Sequence, residues 1–124
     1  MTSYKLSKIV VLVVEDEPLL RMNTVDMVED AGFEVVEAAN AKQAMSVLEG
    51  RDDISIIVSD IEMPPGMDGM ELVAIVRDRW PPIEIILVSG QLASDEVHLP
   101  ERGVFFSKPY RPHELVAAMT RMAA

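Results

Sequence analysis

Residues 9–16 read Ile-Val-Val-Leu-Val-Val-Glu-Asp, and this stretch decides the fold. A strand with one wet face alternates apolar and polar residues. Ile9–Val14 does not alternate, and six residues are too few for a helix of ordinary length. The run therefore predicts a strand buried on both faces, as in a parallel sheet covered by helices. Glu15 and Asp16 follow at once, where the strand leaves the core.

Working outward, the same alternation of short apolar runs and helical patterns recurs. Residues Pro18 to Ala31 carry Leu19, Met22, Val25, Met27 and Val28 at close to helical spacing, and Gly32 ends that helix. Phe33–Ala38 is a short strand whose polar Glu34 and Glu37 mark it as an edge. Asn40 with Gln43 predicts a capping box for a helix to about Glu49. Ile54–Val58 is the next apolar strand. A loop rich in Pro and Gly runs from Met63 to Gly69. Asp68 with Glu71 then caps a helix to about Arg79, and Pro81-Pro82 stops it. Ile83–Val88 and Val104–Phe106 are further strands. The segment from Ser89 to Gly103 is weakly patterned, and Pro100 argues against a long helix there. Pro112, at a first helical position, opens a helix to the chain end. Five strands alternating with helices imply an α/β fold, a doubly wound parallel sheet covered on both faces. With no Pro/Ser-rich linker, residues 1–124 read as a single domain.

Composition narrows the function classes. The chain has no cysteine, which excludes disulfides and thiolate metal sites and fits a reducing compartment. Its longest apolar run has six residues, too short to span a bilayer or to serve as a signal-peptide core. A soluble, cytoplasmic protein with no membrane partner is expected. The net charge of −10 opposes nucleic-acid binding, which needs a basic face to meet phosphates.

The polar residues fall where ligands bind. Four strands end in reactive groups: Glu15 and Asp16, Ser59 and Asp60, Ser89 and Gly90, and Ser107, Lys108 and Pro109. In an open parallel sheet, ligands bind beyond the carboxyl ends of the strands, so these residues converge there. Glu15, Asp16 and Asp60 would repel one another unless a hard cation relieved them. Mg2+ (or Mn2+) suits such a set and often bridges to phosphate oxygens. Lys108 would neutralise phosphoryl charge, and Ser89 would donate to a phosphoryl oxygen. An aspartate nucleophile such as Asp60 forms an acyl phosphate.

With these residues in view, the chain resembles the receiver domain of bacterial two-component response regulators over nearly its whole length. The stretches that carry the likeness are VLVVEDEP (11–18), VSDIEMPPGMDGMEL (58–72), LVSG (87–90) and FFSKPY (105–110). The resemblance implies a single-domain, CheY-like, flavodoxin-like (βα)5 fold with strand order 2-1-3-4-5. It implies that Asp60 accepts a phosphoryl group from a histidine kinase or a histidine phosphotransfer protein. It further implies Mg2+ held by Asp16 and Asp60 side chains and the Glu62 backbone carbonyl, with Glu15 acting mainly through water. Lys108 would contact the phosphoryl group, and Ser89 would bond it on activation. Phe105 takes the switch-aromatic position, and Glu62 and Gln91 would tune dephosphorylation. A cis Lys108–Pro109 bond is also implied. Such a protein is a stand-alone signalling receiver, catalysing only its own phosphorylation and dephosphorylation. It is expected to be a monomer or weak homodimer acting on an unknown downstream protein.

The sequence departs from the family pattern in three places. The loop after Asp60 holds one extra residue, in Pro64-Pro65-Gly66. The segment from Ser89 to Lys108 is short, so the fourth helix is expected to be short or irregular. Phe105 stands where tyrosine is commoner. Two other readings remain at this point: a phosphorylation-independent interaction module, and a phosphatase with an aspartate nucleophile.

Overall fold

The computed structural model describes residues 9–124. Five strands, β1 (Val10–Val14), β2 (Glu34–Ala38), β3 (Ile54–Asp60), β4 (Glu84–Ser89) and β5 (Gly103–Ser107), form one sheet in the order β2-β1-β3-β4-β5. All four pairings are parallel. The helices are α1 (Pro18–Asp30), α2 (Ala41–Gly50), α3 (Gly69–Arg79) and α4 (Pro112–Ala123). The expected doubly wound flavodoxin-like sheet is present, with β2 at an edge as its two glutamates indicated.

Period-two alternation sorts the strand side chains into two cores. Leu12, Val14, Ile57, Ile85 and Leu87 pack with α2 and α3 residues such as Leu48, Leu72 and Val76. Val11, Val13, Val58, Ile86 and Val88 pack with Val25 and Val28 of α1 and Leu115 and Met119 of α4. Central strands thus bury both faces, which is why their sequences are continuously apolar.

The helix boundaries follow local chemistry. Gly32 takes a φ of +101° just after α1, a conformation that suits glycine and ends the helix. At α3, the Asp68 carboxylate accepts from Glu71 N at 2.9 Å and Glu71 returns a bond from Asp68 N at 3.1 Å, completing the expected box. At α2 the expected box is only half formed. Asn40 accepts from Gln43 N at 2.8 Å, but Gln43 reaches one residue further back, accepting from Ala39 N at 2.7 Å.

Between β4 and β5 the chain makes one 3-10 turn, Ser94–Glu96, in place of a helix. Pro100 then turns the chain, its carbonyl accepting from Gly103 N at 2.9 Å. Arg77 of α3 braces this region by donating to the carbonyls of Glu101, Pro81 and Ile83 at 2.6–2.9 Å. The short, irregular fourth helix expected from the sequence is therefore a single turn. β3 runs two residues beyond its expected end at Val58, because Ser59 and Asp60 still pair with Leu87 and Val88 of β4.

Candidate functional site

The sheet register brings the strand ends level. Val14 lies beside Ser59, Asp60 beside Val88, and Ser89 beside Ser107. Side-chain alternation continues past the cores. Glu15, Asp60 and Lys108 fall in the row above Val13, Val58 and Phe106, facing α1 and α4. Ser89 falls in the other row, above Leu87, and Phe105 lies in that row level with Leu87. Gly69 lets the start of α3 close against this layer: a Cβ there would collide with the Asp60 carbonyl oxygen and backbone.

Glu15 and Asp60 are each 7% exposed. One ammonium serves both, with Lys108 Nζ 2.9 Å from Asp60 Oδ1 and 3.3 Å from Glu15 Oε1. The Lys108–Pro109 bond is cis, as is Pro64–Pro65. The approach of Lys108 to Asp60 lies outside hydrogen-bond angles, so the buried Asp60 Oδ1 has no hydrogen-bond partner. Glu15 is steadied from its own loop. Its Oε2 accepts from Glu17 N at 3.1 Å, and its carbonyl accepts from Arg21 Nη1 at 2.9 Å. Arg21 is held in turn by Glu37 Oε1 at 2.9 Å. The sequence offered no sign of this role, since an arginine on a helix is ordinarily a surface charge.

Burial dominates the protonation of Asp60. Burial pushes its carboxyl up from 3.8 to about 6; Lys108 opposes the shift, while Glu15 and Glu62 add to it. Burial tends to lower the Lys108 ammonium, but the close carboxylate of Asp60, then that of Glu15, outweighs it and raises it.

This arrangement fits a divalent cation. Glu15, exposed Asp16 and buried Asp60 each offer a carboxylate oxygen, all within 4.8 Å of one another. The oxygen-only donor set is what a hard ion takes, and Asp60 Oδ1, ion-paired with Lys108 but without a hydrogen bond, keeps acceptor capacity for it. Glu62 places its side chain elsewhere. Fully buried Ser89 donates its hydroxyl to Glu62 Oε2 at 2.6 Å and accepts from Gln91 N at 3.1 Å and Leu92 N at 2.9 Å. Exposed Gln91 thus meets Ser89 through its backbone. Phe105 is half-buried against the α2–α3 core.

Beside Asp60 a pocket of about 410 Å³ opens between α1 and the Lys108–Tyr110 segment that follows β5. Val13, Val58, Leu20 and Tyr110 wall it, and Glu15, Asp60 and Lys108 sit at its polar end. Above it α1 exposes Leu19, Leu20 and Met22 to water. Among the described residues no helix is long and apolar enough to cross a membrane.

Comparison with known proteins converges on one family. A profile of the response regulator receiver domain matches residues 11–120. The response regulator protein FleR of Pseudomonas aeruginosa is 34% identical over 116 residues, covering 91% of this chain and 24% of FleR. The sensor kinase CckA of Brucella abortus is 36% identical over 117 residues, covering 90% of this chain and 12% of CckA. The chain thus spans a quarter or less of these relatives. A response regulator receiver protein from Sinorhizobium medicae superposes with a TM-score of 0.86 at 24% identity, covering 95% of this chain and 96% of that one. The response regulator protein TrrA from Thermotoga maritima, solved in complex with Mg2+ and BeF, superposes at 0.77 with 24% identity, covering 92% of this chain and 98% of that one.

Proposed function

The chain belongs to the response regulator receiver domain family, and from that premise we propose that Asp60 is its phosphoacceptor, working with Mg2+ in two-component signalling. The observation that carries this reading is the buried Asp60 carboxylate, flanked by two further carboxylates and met by the Lys108 ammonium at 2.9 Å. When bound, Mg2+ supplies positive charge that offsets the crowded carboxylates and the incoming phosphoryl oxygens.

An Asp60 carboxylate oxygen attacks phosphorus in line with the phosphorus–nitrogen bond of a phosphohistidine. The new oxygen–phosphorus bond forms as the old bond breaks, and its electron pair stays on the imidazole nitrogen. Lys108 is already aimed at Asp60 and neutralises charge on the transferring group. Glu15 holds Lys108 from the other side, and with Asp16 and the Glu62 carbonyl it would complete the cation site. Ser89 donates to a phosphoryl oxygen once phosphorylated Asp60 draws it over, and Phe105, in the same row, follows. Glu62 and Gln91 flank the route of an attacking water and set the lifetime of the adduct.

The donor is a histidine kinase or histidine phosphotransfer protein. The exposed Leu19, Leu20 and Met22, next to the pocket at Asp60, offer it an apolar contact. The receiver would signal by binding a partner or by passing the phosphoryl group on. Incubation with acetyl phosphate and Mg2+ should add one phosphoryl group, stable to acid and labile to base, and Asp60→Asn should abolish it. An unchanged mass, under conditions that modify a known receiver, would reject the proposal.

A further inference from the structure

The Ser89 hydroxyl is fully committed before any phosphoryl group arrives. A hydroxyl has one proton and two lone pairs. The lone pairs take Gln91 N–H and Leu92 N–H, and the proton goes to Glu62 Oε2 at 2.6 Å. At that distance the contact is a short O–H···O hydrogen bond. Ser89 is wholly buried, so water offers no alternative acceptor. Glu62 lies on the loop after β3, and the Gln91 and Leu92 amides begin the irregular segment that leads to β5. The three contacts therefore tie two loops to one oxygen.

We infer that Glu62 is a positioning residue that holds Ser89 in its resting state, so that phosphorylated Asp60 can engage the Ser89 hydroxyl only by displacing the Glu62 carboxylate. This rests on the reading of Asp60 as phosphoacceptor. The phosphoryl group and Glu62 are rival acceptors for one proton, and both are anionic. A phosphoryl group brings close to two negative charges, so the rivals also repel. Capture of Ser89 must re-aim its hydroxyl, which disturbs the bonds from Gln91 and Leu92 and loosens the start of the β4–β5 segment. Glu62 thereby opposes the phosphorylated state through its side chain, a role separate from any effect on attacking water.

The test is the affinity of the full chain for beryllofluoride, a phosphoryl mimic, at saturating Mg2+, followed by amide NMR. Glu62→Ala should bind it roughly tenfold tighter, about 1.4 kcal/mol, the scale of a net hydrogen bond to a charged group. Glu62→Gln keeps an acceptor for the hydroxyl and removes the charge, so its gain should fall between. In a Ser89→Ala background the Glu62→Ala gain should vanish. Without beryllofluoride, the Gln91 and Leu92 amide resonances should already move in Glu62→Ala. Equal affinity of wild type and Glu62→Ala, or an undiminished gain in the Ser89→Ala background, would overturn this inference alone. No beryllofluoride binding by any of the proteins would overturn the Asp60 reading, and this inference with it.

Discussion

Replacing Asp60 by Asn keeps the side-chain shape and removes its charge, and the structure indicates what that does to stability without a metal. The Asp60 carboxyl is pushed up from 3.8 in the unfolded chain to about 6 in the fold. The folded protein thus holds this proton more tightly than the unfolded chain does. The stability gained is complete below about pH 3.8 and is lost as pH rises through about 6. At neutral pH the ionised Asp60 is a net burden. A shift of about two units at about 1.36 kcal/mol each sets a ceiling near 3 kcal/mol. The pocket opens to solvent beside Asp60, and screening lowers the expected gain to about 1–2 kcal/mol. Asp60→Asn should therefore melt roughly 4–8 °C above wild type at pH 7.5 in EDTA, followed by circular dichroism. The gap should close towards pH 4, where both side chains are neutral. It should also shrink in Mg2+, since a ligand at about 100 times its Kd stabilises the wild type by about 2.7 kcal/mol. An Asn variant that melts at or below wild type at pH 7.5, or a gap as wide at pH 4, would refute the reasoning.

Lys108→Met leaves Asp60 and Glu15 without their shared cation; it should lower stability in EDTA by about 1–3 kcal/mol, and an unchanged urea midpoint would contradict that. Gly69→Ala drives a methyl group into the Asp60 backbone. The expected loss is about 1–3 kcal/mol together with weaker Mg2+ binding by calorimetry, and wild-type values for both would show that the loop yields freely. Arg77→Met gives up donors to three carbonyls and should cost about 1–3 kcal/mol. Hydrogen exchange should quicken at 81–83 and 101–103 while β1 stays protected; uniform quickening would mean that Arg77 supports the whole fold rather than this corner.

Elements legible in the sequence are those built from near neighbours. Ile9–Val14 announces a strand buried twice, because both of its faces meet helices. Asp68 and Glu71 announce a cap, because three residues separate donor from acceptor. Asn40 and Gln43 carry the same spacing, yet Gln43 turns to Ala39 N. Spacing alone does not say which backbone donor the side chain takes. The apolar pattern stops at Val58, whereas β3 runs to Asp60, because pairing with β4 carries polar Ser59 and Asp60 into the strand.

By itself the sequence determined the strands, their order of appearance, and that Glu15, Asp16, Asp60, Ser89 and Lys108 stand at their carboxyl ends. Apolar runs and their polar stops are local properties, so they survive without coordinates. Only the tertiary structure decided that Lys108 is shared between Asp60 and Glu15, the latter 93 positions away in sequence. It alone decided that Arg21 secures the Glu15 carbonyl, and that the proton of Ser89 belongs to Glu62, 27 positions distant. Such choices depend on strand register and loop path. A single proton or ammonium goes to whichever acceptors the fold brings nearest, and no local pattern records which those are.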